Sequence, residues 1–381
     1  MKIAFVYDAV YPWVKGGAEK RIYEVGKRLA KDGNEVHVFG VKWWNGTDTI
    51  KNKGMVLHGV CKPMELYVNG RRSISEAIIF SIKLLPHLIR ERFDVIDVSA
   101  FPYFSCFTVK LVSMLRRTPM VITWHEVWDD YWYEYLGWRG IFGKLVEYIT
   151  SKLRCMSIAV SPLTKRNLMS LGVNGENIHV SPNGIDLNMI SSITPFHEDC
   201  DILFVGRLIR EKNVDVLLEA LNLVSEEIPH VKCHIIGDGP EKERLVGLAS
   251  QRGLPGNVRF FGFMGYEDVI ARMKSSKILV LPSTREGFGM VVFEAFACGV
   301  PVITVKARRN AAWEQVSEKT GFVVNLDARE LGNAVCKLIT DNALRESMSR
   351  SAIDAAQEFD WNNTARQLTF LYEELIRESR A

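Results

Sequence analysis

Short apolar runs alternate with amphipathic helical patterns along the whole chain, and this alternation constrains the fold more than any other feature. The first half contains KIAFVYD, NEVHVFG, FDVIDVS, MVITWH and MSIAVS, and the second half contains DILFVG, VKCHIIG, VRFFGF, KILVLPS and PVITV. Apolar strands joined by helices are typical of parallel sheets covered on both faces. At 381 residues the chain is long enough for two such domains. We therefore predict an α/β fold with two doubly wound, Rossmann-like domains facing a cleft.

The boundary between the two series of strands is predicted at residues 187–199, LNMISSITPFHED, which have weak periodicity and a proline. We interpret this stretch as an interdomain linker. The last segment, Trp361 to Arg380, places apolar residues at helical spacing and needs a surface on which to pack. In doubly wound sheets, ligands bind beyond the carboxyl ends of the strands, so the residues that follow each strand are the candidates for function.

The composition excludes several classes of protein. The formal net charge of +3 comes from 48 basic and 45 acidic residues that are interspersed, so no nucleic-acid partner is expected. Seven cysteines, without a C-x-x-C pair, favour a reducing compartment and give no zinc-binding spacing. The chain begins with a strand pattern and has no run near the roughly 18 apolar residues of a membrane span, which predicts a cytoplasmic protein.

The most specific motif is TREGFGMVVFEAFACGVPVIT, in which Glu286 and Glu294 stand eight positions apart. It follows the run KILVLPS, so EGFG leaves the backbone N–H groups of a helix start free to face a diphosphate. Glu294 falls in an apolar, buried helix and needs a hydrogen-bonding partner. Both carboxylates could accept hydrogen bonds from sugar or ribose hydroxyls, which predicts a nucleotide-sugar site. The alternative is a capping Glu286 and a partly solvated Glu294.

Functional candidates also follow two other strands. Arg207 and Lys212 come after DILFVG, where fixed cations would stabilise the charge that develops on a diphosphate leaving group. They could equally be solvated loop charges. His125 ends the run MVITWH, where a histidine can hydrogen-bond a reacting sugar, although a lone histidine is more often structural.

Three further motifs are less specific. Gly16 and Gly17 join the first strand to a helix and would let a ligand approach the backbone, or they form a plain tight loop. IIGDGP resembles the start of a dinucleotide-binding fingerprint but has Lys242 at the third glycine position, and the chain has no P-loop sequence. Asp199 and Asp201 form a D-x-D at the amino end of DILFVG, the wrong end for ligand binding, so no metal site is predicted.

Taken together, GGAE at residues 16–19, the strand ending at His125, PNGID, VGRL with EK, GDGP and E-x7-E resemble the retaining GT-B glycosyltransferases of family four. The resemblance covers essentially the whole chain in the expected order. It implies transfer of a sugar from a nucleotide-diphosphate sugar, UDP- or GDP-linked, to a glycan or lipid-linked acceptor with retention of anomeric configuration. It also implies catalysis without a divalent metal or another cofactor.

The resemblance implies a role for each matching residue. Arg207 and Lys212 would hold the donor diphosphate, and Glu294 would hold the ribose hydroxyls. Glu286 would contact hydroxyls of the transferred sugar, and His125 would contact that sugar near the reacting carbon. His125, Glu286, Arg207 and Lys212 are thus the implied catalytic residues. The other implied donor-binding residues are Gly17, Gly206, Gly287, Phe288, Gly289 and Met290.

The resemblance further implies that the final helix crosses back onto the first domain. The acceptor domain then comprises residues 1–186 plus 362–381, and the donor domain comprises residues 200–361. One departure follows VPVIT, where relatives often have a glycine-containing turn and then an acid. This chain has VKARRNAAWEQV there, with Trp313 and Glu314 but no glycine, which leaves the identity of the donor open.

Aromatic and acidic residues are interleaved in WHEVWDDYWYEYLGWRG. Aromatic faces beside carboxylates suit sugar rings, so Trp128, Asp129 and Trp132 are predicted to line the acceptor site. A core corner or a subunit interface is the alternative. The next stretch, WRGIFGKLVEYITSKLRC, is amphipathic and basic and predicts peripheral contact with an anionic membrane, although such helices usually face their own core.

Two other functions would use similar contacts. A nucleotide-sugar epimerase would convert the donor with no acceptor present. A non-catalytic regulator would bind a nucleotide sugar and never turn it over. The combination of Arg207, Lys212, Glu286 and Glu294 favours an enzyme over a pure binding protein.

Overall fold

The computed structural model describes residues 1–68, 71–254 and 256–380. The chain divides into two units, the first formed by Met1–Gly184 with Trp361–Ala381 and the second by Ile185–Asp360. Ala381, where the predicted first domain ends, lies outside the described residues. Each unit is an α/β sandwich around a largely parallel sheet, so the predicted fold class is confirmed.

The first unit is built on an eight-stranded sheet in the order β10-β9-β8-β7-β1-β2-β4-β3, in which only the β3–β4 pair is antiparallel. The strands of this unit, including a short β5–β6 hairpin, are β1 (Lys2–Val6), β2 (Glu35–Gly40), β3 (Thr49–Asn52), β4 (Met55–Gly59), β5 (Tyr67–Val68), β6 (Arg71–Arg72), β7 (Val95–Ser99), β8 (Met120–Trp124), β9 (Met156–Ala159) and β10 (Ile178–Val180). Its helices in the same part of the chain are α1 (Gly17–Lys31), α2 (Ile74–Arg90), α3 (Phe104–Arg116), α4 (Tyr131–Leu136), α5 (Gly140–Ser151) and α6 (Pro162–Ser170).

The second unit is built on a six-stranded sheet in the order β13-β12-β11-β14-β16-β18, in which every pair is parallel. Its strands are β11 (Cys200–Val205), β12 (Cys233–Ile236), β13 (Val258–Phe261), β14 (Ser276–Leu281), β15 (Arg285–Glu286), β16 (Val302–Val305), β17 (Arg309–Asn310) and β18 (Gly321–Val324). Its helices are α7 (Leu187–Ser192), α8 (Val214–Glu227), α9 (Lys242–Gln251), α10 (Tyr266–Lys274), α11 (Met290–Ala297), α12 (Ala328–Thr340) and α13 (Asn342–Ala356).

All ten strands predicted from the apolar runs are present. Most of the runs are buried on both faces by flanking helices, whereas β13, at the edge of its sheet, is partly exposed. The sequence pattern missed the hairpin of β3 and β4. Burial alternates along both strands, with β3 at the sheet edge, and they are joined by Lys53 and Gly54 with φ angles of 49° and 84°. Two central residues with positive φ are the signature of a tight hairpin turn.

The segment at residues 187–199 differs from the predicted linker. Asp186 caps α7 by accepting a hydrogen bond from the Met189 amide at 3.0 Å, and Ile190 of this helix is fully buried. The Phe196 amide donates to the carbonyl of Ala271 at 2.9 Å. The segment is therefore packed into the second unit, because its scattered apolar residues find a buried face there.

The final helix, α14 (Trp361–Arg380), packs in the first unit against α1. The Tyr372 hydroxyl donates to the buried carboxylate of Asp97 on β7. Where the chain re-enters the unit, a Cβ at Gly184 would lie only 2.6 Å from the Trp361 nitrogen. The predicted return of this helix to the first unit is confirmed. None of the helices in the described parts of the chain is long and apolar enough to cross a bilayer.

Candidate active site

The turn after β11 carries the two cations predicted to bind the donor diphosphate. The chain leaves β11 through Gly206 and Arg207 and enters a short 3-10 turn, Arg210–Lys212. Asn213 ends this turn in the left-handed conformation, and its side-chain amide donates to the carbonyl of Pro282 at 2.9 Å. This hydrogen bond from Asn213 therefore holds the turn against the end of β14. Sequence reasoning missed this residue, although asparagine is among the few residues that adopt the left-handed conformation readily.

Lys212 and Glu286, which were predicted to contact different parts of the donor, form an ion pair with each other. Their side chains are 15% and 14% exposed. Because both groups are mostly withdrawn from solvent, salt screens their attraction less than it screens a surface pair. The pair brings a cation and a hydrogen-bond acceptor to the same carboxyl edge of the second sheet.

The backbone of Glu286 is fixed by the segment that departs from the family pattern. Glu286 accepts a hydrogen bond from the Ala311 amide at 2.8 Å. Next to it, the fully buried Asn310 donates to the Ser283 carbonyl at 2.8 Å and accepts from the Ala312 amide at 2.8 Å. Asn310 thus orders this segment without a glycine, a role that sequence reasoning missed.

The turn before α11 presents backbone rather than side chains. Gly289 has φ 84°, and a Cβ there would lie 2.6 Å from the Cβ of Ala312. The Phe288 ring is buried and stacks on Phe293 with centroids 5.0 Å apart. A ligand at this turn would therefore meet the main chain of residues 287–289 and the start of α11, where Met290 is the first residue. Glu294 lies one turn further along α11 and is buried.

The GDGP motif supports the turn after β11. Gly237 has φ 146°, and a Cβ there would lie 1.9 Å from the Gly206 carbonyl oxygen. At Gly239, with φ 158°, a Cβ would lie 2.3 Å from the Leu208 oxygen. The Leu208 amide also donates to the Asp238 carbonyl at 2.9 Å. The two glycines are therefore needed so that the β12 loop can lie against the loop that holds Arg207.

The D-x-D lies at the amino end of β11, as predicted. Asp201 accepts a hydrogen bond from the Lys232 amide at 2.8 Å and pairs with the Lys277 ammonium at 2.8 Å. These contacts indicate that the Asp201 carboxylate has a structural role at this end of the sheet.

His125 follows β8 in the first unit and is half-buried. Its Nε2 lies 3.5 Å from the Ser99 hydroxyl. Burial, and secondly the charge of Arg21, lower the pKa of His125 to about 3. The imidazole is therefore neutral at physiological pH and can donate or accept a hydrogen bond without carrying charge.

Arg21 is a buried residue that sequence reasoning missed. Its guanidinium donates to the Ser181 hydroxyl at 3.0 Å, the Pro182 carbonyl at 2.9 Å and the Asn183 side chain at 3.1 Å. Burial lowers the pKa of Arg21 to about 10. Residues of the PNGID motif thus accept hydrogen bonds from an arginine of α1 in the first unit. Nothing local in the sequence points to this contact.

The pKa of His125 predicts how the stability of the first unit depends on pH. The folded value of about 3 lies below the unfolded value of about 6.5, so folding favours the neutral ring. This contribution is complete above pH 6.5 and is lost as the pH falls toward 3. We expect His125→Asn to reduce the loss of stability between pH 6.5 and 4, measured by urea unfolding. His230→Asn, at an exposed position, should leave the wild-type pH dependence unchanged; equal effects of the two substitutions would contradict the assignment.

Gly17, which was predicted to approach the donor diphosphate, is the first residue of α1. The preceding residue, Gly16, lies beside the end of the Glu19 side chain. A Cβ at Gly16 would lie 2.5 Å from a carboxylate oxygen of Glu19. Burial raises the pKa of Glu19. Within the GGAE motif, the Glu19 side chain therefore lies back toward Gly16, at the start of α1.

The predicted acceptor residues differ in their accessibility. Trp132 is only 6% exposed and packs in the core, so a sugar could not stack on its face, which corrects that part of the prediction. Trp128 is partly exposed and stacks on Phe101 at 4.9 Å. Asp129 pairs with the Lys144 ammonium at 2.8 Å. The acceptor prediction therefore rests on Trp128 and Asp129.

Among the described residues, one trio brings metal-ligating atoms within 4.8 Å of one another: His37, His58 and Glu91. Sequence reasoning missed it, because its members are far apart in the chain. The two imidazoles hydrogen-bond each other at 2.8 Å, and the Lys2 ammonium lies 2.8 Å from Glu91. His37, His58 and Glu91 therefore already have partners within the protein. The trio lies toward the amino end of the first sheet, away from His125. The expectation of metal-independent catalysis stays a prediction.

Two Rossmann-like units with a final helix returning to the first define the GT-B class of glycosyltransferases. Solved structures share this fold. Sucrose-phosphate synthase from Thermosynechococcus elongatus matches with a TM-score of 0.82 and 21% identity over 99% of both chains. The Anabaena protein HepE in complex with UDP-glucose matches with a TM-score of 0.77 and 20% identity over 98% of this chain and 100% of that one.

Family models identify the chain more closely. Residues 15–189 match the model described as Glycosyltransferase Family 4, and residues 189–355 match Glycosyl transferases group 1. The chain therefore belongs to glycosyltransferase family 4. A curated relative, the D-inositol 3-phosphate glycosyltransferase of Corynebacterium jeikeium, is 34% identical over 182 residues. This match covers 45% of the chain and 43% of the relative, so the chain spans less than half of that protein's length.

Proposed function

We propose that this glycosyltransferase moves a sugar from a UDP- or GDP-linked donor to a glycan or lipid-linked acceptor, with retention of configuration and without a divalent metal. The observation that carries the proposal is the Lys212–Glu286 ion pair at the carboxyl edge of the second sheet, beside Arg207 and the start of α11. The complex of HepE with UDP-glucose supports a UDP-linked donor. An enzyme of this kind is proposed to work in the cytoplasm.

The proposed chemistry uses these groups in sequence. A bound diphosphate competes for the Lys212 ammonium, which releases the Glu286 carboxylate to accept hydrogen bonds from the donor sugar. As the bond between the anomeric carbon and the phosphate oxygen breaks, Arg207, Lys212 and the N–H groups at the start of α11 stabilise the charge left on the phosphate. The acceptor hydroxyl attacks from the same face, and the leaving phosphate oxygen takes its proton.

The other proposed roles concern binding. Glu294 accepts hydrogen bonds from the ribose, while the main chain at Gly206, Gly287, Phe288 and Gly289, together with the start of α11 at Met290, lies along the sugar and the phosphates. In the first unit, Gly17 is proposed to approach the diphosphate. The neutral His125 imidazole is proposed to hydrogen-bond the donor sugar near the reacting carbon. Trp128 and Asp129 are proposed acceptor contacts.

A panel of UDP-, GDP- and ADP-sugars with mixed acceptors, with and without chelator, tests the proposal. We expect chelator-insensitive release of nucleoside diphosphate from one donor, together with a glycosylated product of matching mass. Glu286→Ala should abolish product formation, whereas Glu267→Ala, at an exposed position of α10 in the same unit, should not. An isomerised donor would instead identify an epimerase, and donor binding without turnover would identify a regulator.

Peripheral contact with an anionic membrane is part of the same proposal. Ile141, Leu145, Tyr148 and Ile149 of α5 are between 44% and 53% exposed, so the apolar stripe of this helix does not face its own core. Helices α2 and α5 each contain one glutamate, which is buried, and α3 contains no acidic residue. The exposed charges of these helices are therefore cationic, which suits an anionic bilayer surface.

Leu145→Glu is expected to weaken partitioning onto anionic vesicles roughly tenfold, because it removes one leucine that would insert into the bilayer and adds a charge that the bilayer repels. Sedimentation with anionic and neutral vesicles measures this effect. Leu223→Glu, at an exposed apolar position of α8, serves as the matched control and should bind like the wild type. No enrichment of the wild type on anionic vesicles would remove the membrane contact from the proposal.

A further inference from the structure

The first unit contains an apolar cavity of about 420 Å³, a volume typical of sites for small ligands. It is bounded by the start of α2, by residues 101–104 and by α4 and α5. Phe101, Trp132 and Phe142 are among the residues that line it. Ile74 and Phe142, which also belong to its lining, are 58% and 62% exposed, so the apolar lining reaches the surface.

The cavity lies near the predicted reaction edge of the first sheet. Phe101 follows Ser99 by two residues, and the Ser99 hydroxyl is 3.5 Å from His125 Nε2. The carboxyl ends of β7 and β8 therefore bear both His125 and one wall of the cavity. A molecule whose apolar part fills the cavity would place its polar end at this edge or at the surface.

Three arginines line the cavity, and they are not equivalent. Arg72 is bound to the buried carboxylate of Asp8. Arg71 and Arg139 are exposed, and their guanidinium groups rest over the rings of Tyr135 and Trp138 at 6.0 and 5.6 Å. Within the described parts of the chain, neither forms an ion pair. Two arginines without a counter-charge beside an apolar cavity match a phosphate attached to a hydrocarbon chain.

Trp132 gives a second, independent indication that the cavity takes a ligand. Its indole Nε1 is buried and has no hydrogen-bond partner among the described residues, as is also true of Trp124 and Trp361, but of these three tryptophans Trp132 is the one that lines the cavity. Buried donors in folded proteins nearly always have a partner, and an oxygen of a bound molecule would supply one. The side chain lines the cavity, so such a molecule would lie within its reach.

We propose that this cavity binds the hydrocarbon chain of a membrane lipid that carries a phosphate, with Arg71 and Arg139 holding the phosphate, and that this lipid anchors the acceptor. The proposal rests on the proposed function, since it names the acceptor class of the same enzyme. The exposed apolar residues of α2 and α5 continue from the cavity mouth, and the cationic surface of these helices matches an anionic bilayer as the source of the lipid.

Titration calorimetry on the full chain with dodecyl phosphate, below its micelle-forming concentration and without donor, tests the proposal. We expect saturable binding by the wild type and at least tenfold weaker binding by Ile74→Gln/Phe142→Gln, which changes two exposed lining residues. The matched control Ile82→Gln/Ile141→Gln changes residues that are 67% and 53% exposed and belong to the same helices but not to the lining. It should bind like the wild type.

The phosphate contact is tested in the same way. Arg71→Gln/Arg139→Gln should weaken binding of dodecyl phosphate several-fold and leave binding of dodecanol unchanged, whereas Arg90→Gln/Arg154→Gln should change neither. Equal binding of butyl phosphate and dodecyl phosphate would overturn the proposal in favour of a free-phosphate site. The proposal would also be overturned if Ile74→Gln/Phe142→Gln and Ile82→Gln/Ile141→Gln weakened binding equally. It would likewise be overturned if the wild-type chain self-associated and Ile74→Gln/Phe142→Gln abolished that self-association.

The outcome is separable from that of the proposed function. Failure of dodecyl phosphate binding, with transfer to a water-soluble acceptor intact, would refute the cavity alone. Specific binding of dodecyl phosphate, with no transfer from any donor in the panel, would support the lipid site and refute the transferase.

Discussion

Replacing Lys212 by methionine is expected to lower kcat about 10²–10³-fold, with a smaller change in the KM for the donor. The ammonium lies in a partly buried site, where a fixed cation opposite a developing negative charge is worth more than in water. Its effect grows as the diphosphate leaves, because the charge on the departing oxygen increases along the reaction. An interaction that strengthens in the transition state appears mainly in kcat.

Lys242→Met is the matched control for this substitution. Lys242 pairs with Asp238 at 3.2 Å on the surface of the same unit, with side chains 34% and 56% exposed. Surface pairs contribute about 0–1 kcal/mol, so kcat should stay within about twofold of the wild type. Equal losses in the two variants would mean that the Lys212 effect is structural, and the assignment of its charge to the leaving group would fail.

Gly237→Ala is expected to destabilise the second unit by about 3–5 kcal/mol, because it combines an unfavourable φ with a steric overlap. The added Cβ would lie 1.9 Å from the Gly206 carbonyl oxygen, and this obstacle is backbone that cannot rotate away. The β12 loop would have to move off the loop that carries Arg207. We therefore expect activity to fall together with the free energy of unfolding, measured in urea.

Gly247→Ala, in the same unit, is the control substitution and is expected to leave the protein stable and active. Gly247 is exposed in α9, and a Cβ there would meet nothing within 4 Å. Alanine in a helix interior is favoured over glycine by roughly 0.5–1 kcal/mol, so this variant should be slightly more stable than the wild type and equally active. If both variants had the same stability, the close approach of the two loops would not be what requires glycine at Gly237.

The features that the sequence predicted share one property: their signal is local. Glu286 and Glu294 are eight positions apart around one turn and one helix, so a short window contains the whole motif. The ten strands were found for the same reason, since each is a continuous apolar run. Periodicity within a window of this size reports burial directly.

Residues that the sequence missed act through distant partners. Arg21 bonds to Ser181 across 160 positions, and the side-chain amide of Asn213 bonds to Pro282 across 69. Asn310 is closer to its partner Ser283, at 27 positions, but it lies in β17 whereas Ser283 lies in the loop after β14. In the sequence, each of these residues resembles an ordinary polar residue of a helix or loop. Only the folded structure places its partner within hydrogen-bonding distance.

The sequence by itself determined that the chain forms two parallel α/β domains and that the candidate site residues follow the strands, because local patterns of apolar and polar residues decide both properties. Only the tertiary structure decided that Lys212 pairs with Glu286 across 74 positions, that Trp132 is core, and that the apolar stripe of α5 faces outward. These facts depend on which surfaces meet when the elements pack. Hydrophobic burial is non-directional, so an apolar stripe shows that a face can be buried, and packing alone determines whether it is.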